Sequence, residues 1–133
     1  MKKIITITPW FYPKYGGGET HHLKLANYLI NNDYDFKNLS FNFKHPKIKL
    51  NFKVKRFDSS KTLKERKEAY NKIFNYLKKE DEIDIVYMYF LTSSDLPVFE
   101  QFKIINYLYI KKVPIVMRIT SEGRLTAFLK KYP

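Results

Sequence analysis

The fold is decided by residues 3–30, which read KIITITPWFYPKYGGGETHHLKLANYLI. Apart from Lys3, residues 3–8 are all β-branched, which is typical of a strand buried on both faces of a sheet. Two prolines and three glycines follow, and a helical period then begins with His22, Leu25 and Leu29 on one face. This order of strand, glycine-containing turn and helix is the first unit of a βαβ fold.

The rest of the chain continues the alternation of strands and helices. We predict strands at 39–44, 48–55, 83–90 and 114–119, a helix capped by Thr62 with Glu65, a helix over 96–110 capped by Asp95, and the start of a helix at 123–131. The first two of these strands either form a hairpin or lie parallel. The pattern predicts an α/β protein, a Rossmann-like three-layer α/β/α domain over residues 1–133 with a mostly parallel sheet.

Composition excludes several functional classes. The 133 residues include no Cys, so disulfides, thiolate metal sites and cysteine nucleophiles are excluded. His21 and His22 are adjacent and point in different directions on a helix, so we expect no metal site. The apolar runs are too short to cross a bilayer and no signal-peptide cleavage site is present, so we expect a cytoplasmic chain.

The chain is strongly basic, with 25 Lys plus Arg against 13 Asp plus Glu and a net charge of +12. A basic surface attracts phosphates, but AT-rich codons would also enrich Lys, Asn and Ile. Between residues 36 and 57, basic residues occur without any acidic residue, which indicates a cationic patch. We expect this patch to bind anionic vesicles weakly and in a salt-sensitive way. Its members are Lys37, Lys44, Lys47, Lys49, Lys53, Lys55 and Arg56.

The loops after the strands are the candidate binding site, because ligands of parallel sheets bind at the carboxyl ends of the strands. Gly16, Gly17 and Gly18 lie between a buried strand and a helix, where they permit positive φ and close approach of a ligand. The helix start offers free N–H groups to an anion. These glycines therefore either contact a phosphate or only make a tight turn. Neither the dinucleotide-binding nor the P-loop motif is present.

The sequence also carries a family resemblance. Residues 9–13 (PWFYP), Gly16-Gly17, Glu19, His21 and the Leu25-Ala26 and Leu29 positions resemble the N-terminal domain of the GT-B glycosyltransferases of family 4. Residues 84–86 (DIV) and 113–116 (VPIV) stand where that family has its fourth and fifth strands.

The resemblance implies the N-terminal half of a GT-B fold, in which two Rossmann-like domains face each other across a cleft. It implies sugar transfer from a nucleotide-sugar donor to a glycan or lipid acceptor, with retention, without a metal and without a further cofactor. Gly16 and Gly17 would approach the donor phosphates, while Glu19 and His21 would orient the first helix. Thr120 and Ser121 follow the fifth strand, where the family often has His, and Tyr87 and Tyr89 stand where histidines often end the fourth strand. No catalytic residue is assigned. Trp10, Phe11 and Tyr12 are candidate acceptor contacts.

The chain stops at Pro133, before a donor-binding domain would begin. We therefore expect a fragment that transfers no sugar alone, located in the cytoplasm with peripheral contact at the inner face of the membrane. The alternative is a free-standing basic module that binds anionic lipid or nucleic acid. Nucleic acid is not an expected partner of the glycosyltransferase.

Overall fold

A five-stranded sheet and three helices make up the part of the chain that the computed structural model describes, namely residues 1–8, 17–41, 52–57, 62–90 and 97–119. The predicted α/β fold class is confirmed. The elements are β1 (Lys3–Ile7), α1 (Gly17–Asn31), β2 (Asp35–Phe41), β3 (Lys53–Phe57), α2 (Leu63–Lys79), β4 (Ile85–Phe90), α3 (Val98–Ile110) and β5 (Ile115–Ile119). None of these helices combines the length and apolar character needed to cross a bilayer.

The sheet is parallel throughout, in the order β3-β2-β1-β4-β5. Lys37 lies opposite Lys53 and Phe41 opposite Phe57, so β2 and β3 are parallel neighbours and not a hairpin. From β1 the chain builds outward to β2 and β3, and it then returns to add β4 and β5 on the other side of β1. This is the strand order of a Rossmann-like sheet.

Helices cover both faces of the sheet. On the front face, which we define as the face against α1, Ile4 and Phe36 pack against Ala26 and Leu29. On the back face, α2 and α3 cover a larger core that contains Ile5, Ile7, Leu39, Phe41, Val86 and Met88. Because successive residues of a strand point to opposite faces, central strands covered on both sides need apolar residues at nearly every position.

Strand β2 differs from the sequence prediction of a half-buried strand at 39–44. It begins at Asp35 and is buried on both faces, with Asn38 and Ser40 on the front and Leu39 and Phe41 on the back. The period-2 pattern predicted one solvent-exposed face because Ser40, Asn42 and Lys44 alternate with apolar residues. Burial on both faces follows from the place of β2 between β1 and β3. Residues 42–44 lie outside the described ranges.

The helix ends are set by local chemistry. The Thr62 cap of α2 is confirmed, since its Oγ1 accepts a hydrogen bond from the Glu65 N–H at 3.3 Å. At the end of α1, Asp33 has a φ of 61°, and the Tyr34 N–H donates to the Leu29 carbonyl at 3.1 Å, which closes the helix. The predicted Asp95 cap of α3 is wrong: the helix begins at Val98 with Pro97 in the cap position, and Pro97 has no side-chain acceptor.

A carboxylate at the amino edge of the sheet joins α2 to two strands. Glu80 accepts hydrogen bonds from Lys3 Nζ at 3.1 Å and Lys37 Nζ at 2.9 Å, and the Tyr76 hydroxyl donates to it at 2.6 Å. Burial alone would raise the pKa of Glu80, but the hydrogen bonds from Tyr76, Lys37 and Lys3 outweigh it and lower the pKa from 4.5 to about 2. Lys37 of the basic block is therefore engaged within the fold.

Replacing Glu80 by glutamine is expected to lower the free energy of unfolding at neutral pH by about 1–2 kcal/mol, because two ammonium groups lose their partner. Since the folded-state pKa lies below the ordinary value, the carboxylate stabilises fully above about pH 4.5, and this stability is lost as the pH falls toward 2. Denaturant melts should show that Glu80→Gln loses less stability over this range than the wild type does. Glu68→Gln, at an exposed position of α2, is the control. Equal acid slopes for the wild type and Glu80→Gln would contradict the prediction.

Candidate functional site

The strand order of the sheet reverses between β1 and β4. The connections from these neighbouring strands leave in opposite directions, and open α/β sheets bind ligands at such a reversal. Of the predicted site residues, Gly17 and Gly18 fall within the described ranges. The others lie outside them, so their predictions stay untested: Trp10, Phe11, Tyr12, Gly16, Thr120 and Ser121.

Gly17 and Gly18 are the first two residues of α1 and do not belong to the turn before it. A helical backbone has negative φ, which any residue adopts, so conformational freedom does not explain glycine at these two positions. The first N–H groups of a helix have no partner within the helix and lie at its positive end. Glycine has no Cβ, so neither residue adds a side chain in front of these N–H groups.

His22 fixes the position of α1 on the sheet. It is fully buried, and its Nε2 lies 2.9 Å from Thr6 Oγ1 on β1. Its ring contacts Tyr89 edge-on, with 5.9 Å between the ring centroids. Burial, with a smaller contribution from the charge of His21, lowers the pKa of His22 from 6.5 to about 3, so the imidazole is neutral at pH 7. Sequence reasoning gave the orienting role to His21, which is exposed.

Buried polar side chains lie beneath the carboxyl edge. Asn38 Nδ2 donates to Thr6 Oγ1 at 2.8 Å and to Thr8 Oγ1 at 3.0 Å. All three residues are at most 1% exposed, and with His22 they link β1, β2 and α1. Buried hydrogen bonds of this kind depend on geometry, so they hold the start of α1 in a fixed place relative to the strand ends. The available sequence signal was the i, i+2 spacing of Thr6 and Thr8 in a strand read as buried on both faces.

Arg118 supplies a positive charge near the same edge and was missed by the sequence reasoning. It follows Val116 on the front face of β5, and its guanidinium carbon lies 5.5 Å from the centroid of the Tyr89 ring on β4. Among the described residues no carboxylate forms an ion pair with it. An arginine in an otherwise apolar strand was the available signal. Because β4 lies between β1 and β5, this contact places the guanidinium next to the strand that borders the reversal.

The described side chains suit the binding of an anion better than acid–base or metal chemistry. Backbone N–H groups at the start of α1 and the Arg118 guanidinium both interact favourably with negative charge. Within the described ranges, no group of three His, Asp or Glu residues is placed to hold a metal ion. The Thr6 hydroxyl and the His22 imidazole lie within hydrogen-bond distance, but both side chains are fully buried, so they serve the packing of α1 on β1 and are closed to a substrate.

Comparison with known proteins adds no relative to this picture. No protein-family model matches the sequence, and no curated protein is significantly similar to it. The functional interpretation therefore depends on the geometry of the carboxyl edge and on the resemblance in the sequence.

Proposed function

We propose that this chain is the N-terminal, acceptor-side portion of a GT-B glycosyltransferase, which moves a sugar from a nucleotide-sugar donor to a glycan or lipid acceptor. The observation that carries the proposal is the strand order, whose reversal between β1 and β4 lies at the edge where α1 begins with two glycines. The resemblance of residues 9–29 to family 4 supplies the reaction class.

The donor diphosphate is the group that this edge would contact. Two negative charges without a metal need N–H donors and a fixed cation, and Gly17, Gly18 and Arg118 provide these groups. The buried contacts of His22 and Asn38 support the proposal because they fix α1 to β1 and β2. In this role Arg118 neutralises phosphate charge, and Tyr89 holds the guanidinium plane.

The acceptor and the location of the protein belong to the same proposal. Trp10, Phe11 and Tyr12 would pack on the sugar or lipid acceptor, and Thr120 and Ser121 would lie near the donor. The protein would work in the cytoplasm, in peripheral contact with the inner face of the membrane. The net charge of +12 supports such contact, because that leaflet is anionic.

Titration of the isotope-labelled chain with pyrophosphate, nucleoside diphosphates and nucleotide sugars tests the proposal. We expect chemical-shift changes at the Gly17 and Gly18 amides and at the Arg118 guanidinium. Arg118→Gln should weaken binding about ten- to a hundredfold, because a charge-assisted hydrogen bond contributes about 1.5–3 kcal/mol. The affinity of Arg118→Lys should lie between those of the wild type and Arg118→Gln, because lysine keeps the positive charge but lacks the planar guanidinium that binds two oxygens at once.

Lys112→Gln is the matched control, because Lys112 is an exposed cation just before β5, at the opposite edge of the sheet. Its affinity should equal that of the wild type. Shifts confined to the amino edge, or equal affinities for Arg118→Gln and Lys112→Gln, would refute the proposed site.

A further inference from the structure

Helix α3 exposes apolar side chains along its outer face. The exposed fractions are 76% for Phe99, 56% for Phe102, 78% for Tyr109 and 66% for Ile110. Their spacing of three, seven and one residues places them on one side of the helix, opposite the buried Gln101, Ile104 and Leu108. The same side also carries the exposed Lys103 and Asn106, so four of the six exposed side chains of α3 are apolar.

The exposed area is large for a chain of this size. The four side chains together leave about 500 Å² of largely apolar surface uncovered, since each aromatic side chain offers about 150–250 Å². That is as large as the largest apolar patch on a typical monomer, and such patches mark interaction sites.

The neighbouring helix α2 supplies charge. Helices α2 and α3 lie side by side on the back of the sheet, where the Phe74 and Tyr107 rings meet with 5.4 Å between centroids. The exposed charged residues of α2 are Lys64, Lys67, Lys72, Lys78 and Lys79 with one acid, Glu68. In the described part of the chain, none of these lysines forms an ion pair with a carboxylate.

We propose that the outer surface of α2 and α3 docks on an anionic lipid bilayer, with the α3 side chains in the interface and the α2 lysines over the headgroups. Aromatic and aliphatic side chains beside clustered lysines are typical of surfaces that bind anionic membranes. A protein partner is less favoured, because lysine is depleted in protein interfaces. A second copy of the chain would bring another charge of +12 to the same face.

This surface differs from the basic block at 37–56 that the sequence singled out. In its described part, Lys37 is held by Glu80, and the Arg56 guanidinium donates to the Phe41 carbonyl at 3.3 Å. Lys53 and Lys55 are exposed at the β3 edge of the sheet, which lies farthest from β5. The docking proposal rests on the membrane contact of the proposed function and assigns it to a surface, but its test requires no sugar transfer, so the two can fail separately.

Cosedimentation of the whole chain with phosphatidylcholine vesicles, with and without phosphatidylglycerol, tests the proposal. We expect binding only to the phosphatidylglycerol vesicles, weakened by salt. Two double variants should each weaken it about tenfold or more: Phe99→Ser with Tyr109→Ser removes apolar contacts, and Lys67→Glu with Lys72→Glu reverses two charges. The matched control is Tyr28→Ser with Lys24→Glu on the exposed side of α1, where Tyr28 is 62% exposed. Thermal melts verify that all variants fold.

Three results would overturn the proposal. The first is absence of wild-type binding, or equal binding of the α3 variant and the α1 control. The second is binding that the lysine changes abolish but the α3 changes leave intact, which indicates a general affinity for polyanions. The third is a dimer in sedimentation equilibrium that Phe99→Ser dissociates, which would make a second copy the occupant of this face.

Discussion

Acidification from about pH 6.5 to pH 3 is expected to destabilise the folded chain by several kcal/mol through His22. The folded-state pKa of His22, about 3, lies below its ordinary 6.5, so the unfolded chain binds the proton first. The His22 contribution is therefore complete above pH 6.5 and is lost as the pH falls toward 3. One pKa unit corresponds to about 1.4 kcal/mol. Urea melts at a series of pH values measure the slope.

His22→Gln removes the titrating group and keeps an amide nitrogen near the Nε2 position beside Thr6. We expect a loss of about 1 kcal/mol at pH 7 and a markedly flatter profile between pH 6.5 and 3. The exposed neighbour His21 provides the control, and His21→Gln should retain most of the wild-type slope. A His22→Gln profile as steep as that of the wild type would show that other groups cause the acid sensitivity.

Gly17→Val is expected to abolish detectable binding of diphosphate ligands while leaving the thermal midpoint almost unchanged. Gly17 is already helical, so valine meets no forbidden φ, and the cost in stability should stay below about 1 kcal/mol. Helical Cβ atoms tilt toward the helix N-terminus, so the valine methyl groups would occupy the opening in front of the free N–H groups. The loss of two charge-assisted bonds corresponds to about a hundredfold or more in affinity.

Calorimetric titration measures the loss of affinity and thermal melts measure the loss of stability. Both are measured for Gly17→Ala, Gly17→Val and Gly18→Ala. Leu63→Val makes a comparable change at the first residue of α2 and should leave diphosphate affinity as in the wild type. Affinity that falls only in proportion to the melting temperature would assign Gly17 a purely structural role. It would also remove the helix start from the proposed site.

The sequence by itself determined the fold class and most of the elements. β-branched residues at 4–8 and a nearly continuous apolar run at 83–90 predicted buried strands, because such segments are typical of strands covered by a layer on each face. The Thr62 side chain caps the backbone of its own helix, so the start of α2 was readable from the sequence.

Only the tertiary structure decided which residues meet across the sheet. The parallel pairing of β2 with β3 and the buried contacts of Asn38 depend on neighbours that are distant in sequence. The Arg118–Tyr89 contact depends on such neighbours too. So does the ion pair of Lys37 with Glu80, which the charge of Lys37 alone could not predict. The exposure of the α3 side chains could not be predicted from the sequence either. The apolar pattern of a helix does not show whether its outer side is covered by other parts of the protein. The periodicity of apolar side chains shows which face of a helix or strand packs against the core. What covers the opposite face depends on how the whole chain packs.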